Sequence, residues 1–283
     1  MSPLPIFVIN LDRSPERLTL LRAQAHASGL SFERISAIDG TRQLPSWAAV
    51  QFMNARGGIR GGLSEGEVGC YASHLLVLSK IIERRIEAAI VLEDDAILDE
   101  DFERKAREAI RAAPSGWDCI HLSTDFKRSP FPVADLGSEH CLVRYMRLPV
   151  NSVAYAISLA GAQKLMAPRY RVRPFDVEFR LAWESGLEML GTFPAIARPH
   201  EYLASTIDAD WKKDRPVVGW RRRKSRQQAQ WKPGLVSQIR GWLYVTSRLG
   251  IAGAWHCWTT ALPDRAHVSG RTPVGSLSQI QKA

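Results

Sequence analysis

The fold class of this chain is decided by the stretch Ala88-Ala89-Ile90-Val91-Leu92-Glu93-Asp94-Asp95. Its five apolar residues predict a buried strand, and the three carboxylates that follow predict an acidic edge where that strand ends. Ligands collect at the carboxyl ends of strands in open α/β sheets, where adjacent carboxylates repel one another unless they are protonated or share a cation. Oxygen ligands of this kind suit Mg²⁺ or Mn²⁺. The alternative is that residues 94–101 form only an acid-rich helix start, which the helix dipole favours.

Strand and helix patterns alternate on the amino-terminal side of this stretch. Residues 6–11 are predicted to form a first buried strand, and Ser14 followed by Pro15 indicates the start of a helix. Ser64 and Glu67 have the spacing of a capping box, which predicts a helix that continues to about residue 85. The order strand, helix, strand favours an α/β fold with a mostly parallel sheet flanked by helices.

The carboxyl-terminal side continues the alternation. Residues 119–123 and 152–157 predict strands, residues 159–166 predict a helix, and residues 174–186 predict a further single helix. The segment 124–149 has prolines and little periodicity, so we interpret it as a long surface loop of the kind that binds substrate.

Charge is distributed unevenly along the 283 residues. Lys and Arg number 24 against 25 Asp and Glu over residues 1–207, and 14 against 4 over residues 208–283. A near-neutral part is thus followed by a part that carries +10. We expect a globular domain over residues 1–207, a basic helical extension over 208–263 and a polar, mostly disordered tail over 264–283.

The basic extension has the pattern of an amphipathic helix. A basic block at residues 221–226 precedes four apolar residues at helical spacing, which are Leu235, Ile239, Trp242 and Leu249. Such a helix commonly lies on an anionic membrane surface, although the charge alone would also suit nucleic acid. The alternative is a helix packed against the main domain with a solvated basic face.

Cysteine usage and hydropathy indicate a reduced, cytosolic protein. The four cysteines show no CxxC pairing or metal-finger spacing; they are Cys70, Cys119, Cys141 and Cys257. The amino terminus lacks the pattern of a signal peptide, and no stretch reaches about 18 consecutive apolar residues.

Taken one at a time, the candidate residues are only weak evidence for a catalytic or metal-binding site. His74, on the predicted helix after Ser64, is more typical of a structural histidine than of a ligand, and Asp176 is equally consistent with a helix cap. His200 follows a strand and is a possible metal ligand. No P-loop and no nucleophile elbow is present. From the residues alone, the chain is interpreted as a metal-assisted enzyme for a phosphate-bearing substrate.

Four segments in order resemble glycosyltransferase family 25, which includes bacterial lipooligosaccharide galactosyltransferases and is related to collagen galactosyltransferases. They are Val8-Ile9-Asn10-Leu11 with Ser14 and Glu16-Arg17; Gly69-Cys70-Tyr71-Ala72-Ser73-His74; Leu92-Glu93-Asp94-Asp95-Ala96; and Tyr155-Ala156-Ile157-Ser158 with Gly161-Ala162 and Pro174-Phe175-Asp176. The resemblance covers about residues 5–207, and the order of the segments makes it more specific than any one of them.

The resemblance implies a GT-A-like, Rossmann-type transferase that uses a nucleotide sugar. Its acidic motif would bind a divalent ion, Mn²⁺ or Mg²⁺, that bridges the donor diphosphate and assists its departure as a Lewis acid. The metal ligands implied are Asp95, Glu93 and His200. The donor-binding residues implied are Asn10, Arg13, Arg17, Ser73, His74, Glu93 and Asp94. For Arg17 the alternative is a plain charge on the helix surface.

Asp176 occupies the family's Pro-x-Asp position and is the candidate for the base that takes the acceptor hydroxyl proton. Inverting displacement requires such a base within hydrogen-bond reach, and Glu178 and Glu201 are the alternatives. The chain departs from the family at Asn151-Ser152, where Gly-Thr is usual, and at His200, where Gln is common. The second departure adds an imidazole, which also coordinates Mn²⁺.

We therefore predict a cytoplasmic transferase that is peripheral on the inner face of the cytoplasmic membrane. It moves galactose or glucose from a UDP-sugar to a lipopolysaccharide, lipooligosaccharide or other glycan, and no nucleic acid partner is expected. The alternatives are a membrane- or nucleic-acid-binding protein without catalysis and a metal-dependent phosphohydrolase. The transferase is favoured because its segments match in order, whereas no phosphohydrolase nucleophile motif appears.

Overall fold

The computed structural model describes residues 4–123, 130–137, 140–145, 150–200 and 235–259. Its strands are β1 (Ile6–Asn10), β2 (Glu33–Ser36), β3 (Ala88–Glu93), β4 (Ala96–Leu98), β5 (Cys119–His121), β6 (Phe131–Gly137), β7 (His140–Arg144), β8 (Ala154–Ser158), β9 (Met189–Phe193) and β10 (Ala197–Pro199). Its helices are α1 (Pro15–Ala27), α2 (Ser46–Phe52), α3 (Glu65–Glu83), α4 (Phe102–Ala112), α5 (Leu159–Met166), α6 (Phe175–Arg180), α7 (Ala182–Ser185) and α8 (Leu235–Thr259).

Eight of these strands form one sheet in the order β2-β1-β3-β8-β5-β9-β7-β6. β1 is parallel to β2 and β3, and β5 is parallel to β9, whereas β7 and β8 are antiparallel to their neighbours. Six of the eight strands therefore run in one direction. The predicted α/β class with a mostly parallel sheet is confirmed, and the two reversed strands are an addition to it.

The sheet is covered by helices on both faces, because β3 is apolar on both. Ala89 and Val91 point into a core formed with α3, α5 and α6, while Ile90 and Leu92 point into a second core formed with α1 and α4. A continuous apolar run is what a strand covered on both faces requires. Glu93 is the residue at which β3 ends, so the acidic motif lies at its carboxyl end.

Two predicted helices are confirmed, α3 at its start and α5 along its whole length. Ser64 and Glu67 form the capping box at the start of α3, with Glu67 N donating to Ser64 Oγ at 3.2 Å and Ser64 N donating to Glu67 Oε2 at 2.7 Å. α5 spans the predicted residues 159–166. At α1, Ser14 is the residue before the first turn, but its side chain makes no capping hydrogen bond.

The interpretation of residues 124–149 as a loop was wrong for its described part. Strands β6 and β7 form an antiparallel hairpin at the edge of the sheet, with Pro132 inside β6. An edge strand tolerates proline because one row of its backbone N–H groups has no strand to pair with. The predicted single helix over residues 174–186 is two short helices, separated at Leu181, whose φ of −109° is not helical.

Helix α8 packs against the domain, which is the alternative that the sequence left open for this segment. The Tyr244 hydroxyl donates to Leu187 O at 2.8 Å and accepts from Met189 N at 3.1 Å, and Val245 and Leu249 are buried. Of the four apolar residues singled out in the sequence, only Leu249 is buried; Leu235, Ile239 and Trp242 are exposed. The predicted basic block at 221–226 and the predicted tail at 264–283 lie outside the described residues.

Candidate active site

A cleft opens at the carboxyl ends of β1, β2 and β3, which run parallel and side by side. The amino-terminal half of α3 forms its opposite wall. Its lining residues are Ile9, Leu11, Arg13, Arg17, Ala37, Ile38, Asp39, Gly40, Gly66, Cys70, Ser73, His74, Glu93 and Asp94. This is the position at which open α/β sheets bind ligands.

One wall of the cleft is a loop held tightly against α3. Ser73, which is fully buried, accepts a hydrogen bond from Ile38 N at 2.8 Å and donates to Gly69 O at 2.7 Å. A Cβ atom on Gly40 would lie 1.8 Å from Glu65 O, so only glycine allows this approach. The structure thus places Ser73, a predicted donor-binding residue, at the cleft with its hydroxyl engaged in positioning the loop.

Arg17 and Asn10 bind the carboxylates at the end of β3. Arg17 Nη2 lies 2.6 Å from Asp95 Oδ2, and Arg17 Nε lies 3.1 Å from Asp94 Oδ1. Asn10 Nδ2 donates to Asp94 Oδ2 at 2.7 Å. Arg17 is only 7% exposed, so the alternative of a plain charge on the helix surface is wrong.

Burial and mutual repulsion disfavour charge on two of these carboxylates. Burial raises the pKa of Asp94, although Arg17 and the hydrogen bond from Asn10 oppose that effect. Burial and the neighbouring Glu93 raise the pKa of Asp95 to about 6 against the attraction of Arg17. Asp95 Oδ1 is buried and has no hydrogen-bond partner among the described residues. A buried oxygen without a hydrogen-bond partner is suited to act as a ligand of a cation.

Glu93 and His74 form a connected pair on the α3 side of the acidic motif. His74 Nε2 lies 3.3 Å from Glu93 Oε1, and Ser152 Oγ donates to the same oxygen at 2.5 Å. Although burial alone raises the pKa of Glu93, these two hydrogen bonds hold it below its usual value. The His74 ring is fully buried and stacks on Phe175 with 4.1 Å between centroids. Both predicted donor-site residues therefore lie at the cleft, fixed by protein contacts.

His200 lies next to the acidic motif in space, although 105 positions separate it from Asp95 along the chain. β10 pairs antiparallel with β4, and the His200 backbone N–H donates to Asp95 O at 2.8 Å. The fold thus brings the backbone of His200 to that of Asp95. The ligand atoms of Glu93, Asp95 and His200 do not form a cluster, since the group found among the described residues with ligand atoms within 4.8 Å of one another is Cys70, His74 and Glu93. At the other side of the cleft, the half-exposed Arg13 pairs with Asp39 at the mouth.

Asp176 and Glu178, the predicted bases, have different surroundings. Asp176 lies in the first turn of α6, where burial and the charge of Glu93 raise its pKa to about 6. Both carboxylate oxygens of Glu178 have partners: Tyr71 donates to Oε1 at 2.8 Å, and Arg169 Nη2 lies 3.0 Å from Oε2. Glu178 is therefore part of a buried polar network. Neither Asp176 nor Glu178 is among the described residues that line the cleft. Glu201 lies outside the described residues.

Comparison with known proteins identifies the family. The sequence model of glycosyltransferase family 25 (LPS biosynthesis protein) matches residues 4–178, which is 175 of the 283 residues. The chain belongs to glycosyltransferase family 25.

Curated relatives in the family include both active and inactive proteins. The chain is 30% identical over 181 residues to procollagen galactosyltransferase 2 of Mus musculus. This match covers 60% of this chain and 29% of that protein. It is 26% identical over 181 residues to procollagen galactosyltransferase 1 of Danio rerio, covering 60% of this chain and 30% of that protein. It is also 27% identical over 233 residues to the inactive glycosyltransferase 25 family member 3 of Mus musculus, and this match covers 74% of this chain and 38% of that protein. The chain therefore matches well under half the length of these relatives.

In this family 25 chain, three residues that shape the site stand in segments quoted above but were not predicted as site residues. Cys70, Ser152 and Tyr155 contact or approach His74 and Glu93. Cys70 was recognisable, because it precedes His74 by four positions on α3 and residues at that spacing share a helix face. Ser152 and Tyr155 were not, because only the pairing of β8 with β3 brings them there.

Proposed function

We propose that this family 25 protein transfers a hexose, galactose or glucose, from a UDP-sugar to a glycan acceptor with inversion and with Mn²⁺ or Mg²⁺. The observation that carries the proposal is Asp95 Oδ1, which is buried and has no hydrogen-bond partner among the described residues, beside the cleft-lining Asp94 at the ends of three parallel strands. The membership of the chain in a glycosyltransferase family supports the reaction class.

The observation that fits a divalent cation here is Asp95 Oδ1, which is buried and has no hydrogen-bond partner among the described residues. Glu93, Asp95 and His200 are the proposed ligands, since carboxylate oxygens and imidazole are ligands that Mn²⁺ accepts, and their side chains would have to converge when the ion binds. When bound, the cation supplies Lewis-acid stabilisation of the charge that develops on the departing diphosphate. Arg17 already offsets part of the negative charge of this motif, and it keeps Asp94 and Asp95 in place.

The donor-binding residues divide into two groups by their contacts. Arg13 is at the mouth of the cleft, where its guanidinium is accessible to a diphosphate after release from Asp39. Asn10, Arg17, Ser73 and His74 are buried and fix the walls, so we assign them to positioning. Asp94, held by Asn10 and Arg17, shapes the floor of the cleft between them.

Asp176 is proposed as the base. In the reaction, the acceptor oxygen forms a bond to the anomeric carbon, the bond from that carbon to the diphosphate oxygen breaks, and the acceptor proton moves to the Asp176 carboxylate. A pKa of about 6 leaves that carboxylate ionised at neutral pH while making it a stronger base than an ordinary aspartate.

The acceptor is proposed to be a lipopolysaccharide or lipooligosaccharide glycan. The description of the family names LPS biosynthesis, whereas the curated galactosyltransferase relatives are named for procollagen. A lipid-linked acceptor also agrees with the net charge of +10 over residues 208–283.

Peripheral attachment to the inner face of the cytoplasmic membrane is proposed through α8. Before Gly250, whose φ of 68° and ψ of 167° interrupt the helix, α8 carries exposed apolar side chains on the face that does not contact the domain, which are Leu235, Val236, Ile239, Trp242 and Leu243. None of the described helices has the length and apolarity needed to cross a bilayer. An apolar helix face combined with nearby positive charge favours lying on an anionic surface.

Vesicle sedimentation tests this attachment on the full chain. Wild type is expected to bind vesicles that contain anionic lipid at low salt, and Ile239→Ser/Trp242→Ser is expected to bind them at least about tenfold more weakly. Val50→Ser, which changes an exposed apolar residue on α2, is the matched control. Equal binding by both variants would remove α8 from the membrane contact.

The transfer itself is tested with UDP-galactose and UDP-glucose and a truncated lipooligosaccharide acceptor, with and without Mn²⁺. The expected result is metal-dependent appearance of a glycosylated acceptor together with UDP. Release of inorganic phosphate without a sugar product would instead indicate a phosphohydrolase. Absence of any turnover or nucleotide binding would indicate a binding protein without catalysis.

A further inference from the structure

Three side chains with different donor atoms converge on the α3 side of the cleft. One ligand atom each from Cys70, His74 and Glu93 lies within 4.8 Å of the other two. Two of them already approach more closely, since His74 Nε2 is 3.3 Å from Glu93 Oε1. Ligands of a tetrahedral zinc ion lie roughly 3.3–3.6 Å apart, so a shift of at most about 1.5 Å would complete such a site.

The surroundings of these residues resemble the outer shell of a metal centre. The His74 Nδ1 atom lies 3.0 Å from the Tyr155 hydroxyl, which leaves Nε2 directed toward Glu93 and Cys70. Ser152 donates to Glu93, and the His74 ring is fixed between Tyr155 and Phe175. Hydrogen bonds from the second nitrogen of a ligand histidine and to a ligand carboxylate are the usual means of orienting metal ligands.

We propose that Cys70, His74 and Glu93 form a binding site for a thiophilic divalent cation of the Zn²⁺ class. Three protein ligands leave a fourth position for water, and all three residues line the cleft, so this position faces the opening. The ligand set differs from that of the oxygen-rich motif at Asp95, because a thiolate selects softer ions than Mn²⁺ or Mg²⁺.

This site and the proposed donor cation site have Glu93 in common. Occupation of the Cys70 site would withdraw Glu93 from a cation at Asp95, so Zn²⁺ is expected to inhibit transfer that depends on Mn²⁺. Formation of the metal–sulfur bond releases the thiol proton to solvent. Because this proton must leave before the bond forms, Zn²⁺ affinity is expected to increase with pH.

Cobalt substitution tests the site on the full chain without any need for donor or turnover. Wild type titrated with Co²⁺ is expected to develop the near-ultraviolet charge-transfer absorption of a Co²⁺–thiolate bond, which Zn²⁺ then abolishes. Cys70→Ser is expected to lack this absorption and to bind Zn²⁺ at least about tenfold more weakly in a chelator competition. Cys141→Ser, a half-buried thiol on β7, is the matched control and retains both properties.

The outcomes separate this proposal from the proposed function. An absorption that persists in Cys70→Ser, or that is missing from folded wild type, would overturn the site. Cys70→Ala provides the same readout should Cys70→Ser fail to fold. Co²⁺–thiolate absorption in a protein without transfer activity would support the site and count against the transferase.

Discussion

The guanidinium of Arg17 lies 2.6 Å from Asp95 Oδ2 and 3.1 Å from Asp94 Oδ1, so one buried cation contacts two of the three carboxylates at the end of β3. Arg17 belongs to α1, which follows β1, and the acidic motif follows β3. The ion pairs therefore connect two neighbouring parallel strands at the edge where the cleft opens. The positive charge of Arg17 offsets part of the repulsion among the clustered carboxylates in the folded protein.

Removal of this cation is expected to destabilise the fold. Arg17→Met should lower the free energy of unfolding at pH 7 by about 3–5 kcal/mol, because it leaves buried carboxylates without their counter-charge. Arg22→Met changes an exposed arginine of the same helix and should alter it by less than about 0.5 kcal/mol. Urea denaturation measures both values. Equal stability of the two variants would show that the contact between Arg17 and the acidic motif contributes little.

Two carboxylates of α6 are expected to respond differently to neutralisation. Asp176→Asn should lower kcat by about 10²–10⁴-fold with little change in donor affinity, because it removes the proposed base. Glu178→Gln should instead lower the free energy of unfolding by about 1–3 kcal/mol, since Tyr71 and Arg169 lose a charged partner. Steady-state kinetics and thermal denaturation of both variants separate these roles. The assignment of the base is wrong if Glu178→Gln loses turnover and Asp176→Asn keeps it.

The pH dependence of stability is expected to reveal the raised pKa of Asp176. Its pKa is about 6 in the folded protein against an ordinary 3.8, so the folded state binds more protons than the unfolded state between these values. The contribution of Asp176 to stability is therefore complete below about pH 4 and is lost as the pH rises through 6.

A variant is needed to isolate this effect, because His121 acts in the opposite direction. Burial lowers the pKa of His121 to about 4, so its contribution falls as the pH drops below 6.5. The difference in unfolding free energy between Asp176→Asn and wild type should rise by on the order of 2 kcal/mol from pH 4 to pH 7. A difference that stays constant over this range would contradict the raised pKa.

The contact between the loop at Gly40 and helix α3 is expected to depend on glycine. Gly40→Ala places a Cβ atom 1.8 Å from the backbone oxygen of Glu65, so the loop must move away from the helix. We expect a loss of about 1–3 kcal/mol in stability and weaker donor binding, since Asp39 and Gly40 line the cleft. In the control Gly58→Ala, the nearest atom is a side-chain nitrogen of Asn54 at 3.1 Å, which can move. Unchanged donor affinity in Gly40→Ala would indicate that this wall does not contact the donor.

Local patterns predicted the elements that build the site. The apolar run before Glu93 predicted β3, and the spacing of Ser64 and Glu67 predicted the start of α3, because both signals lie within a few residues. Six of the eight strands share the direction that the strand and helix alternation implies. The hairpin of β6 and β7 was missed because its pairing stabilises a proline-containing edge that has weak strand character by itself.

Side-chain roles were less accessible from the sequence, because they depend on contacts between distant positions. Tyr71 and Glu178 are 107 positions apart, and their hydrogen bond is what makes Glu178 a structural residue. The sequence offered Arg17 both a surface role and a donor-binding role, and only the packing of α1 beside β3 shows that it contacts the acidic motif. The approach of His200 to Asp95 likewise follows from the pairing of β4 with β10.

Calorimetric titration of the full chain with UDP, UDP-galactose and UDP-glucose, with and without Mn²⁺, tests the central claim most directly. Wild type and Asp99→Ala, a carboxylate four positions away that pairs with Lys105, are predicted to bind the nucleotide only with Mn²⁺. Asp95→Ala is predicted to bind at least about tenfold more weakly, because the cation loses a ligand. Equal binding by folded Asp95→Ala, or binding that does not depend on Mn²⁺, would contradict the assignment of a cation-dependent donor site to the acidic end of β3.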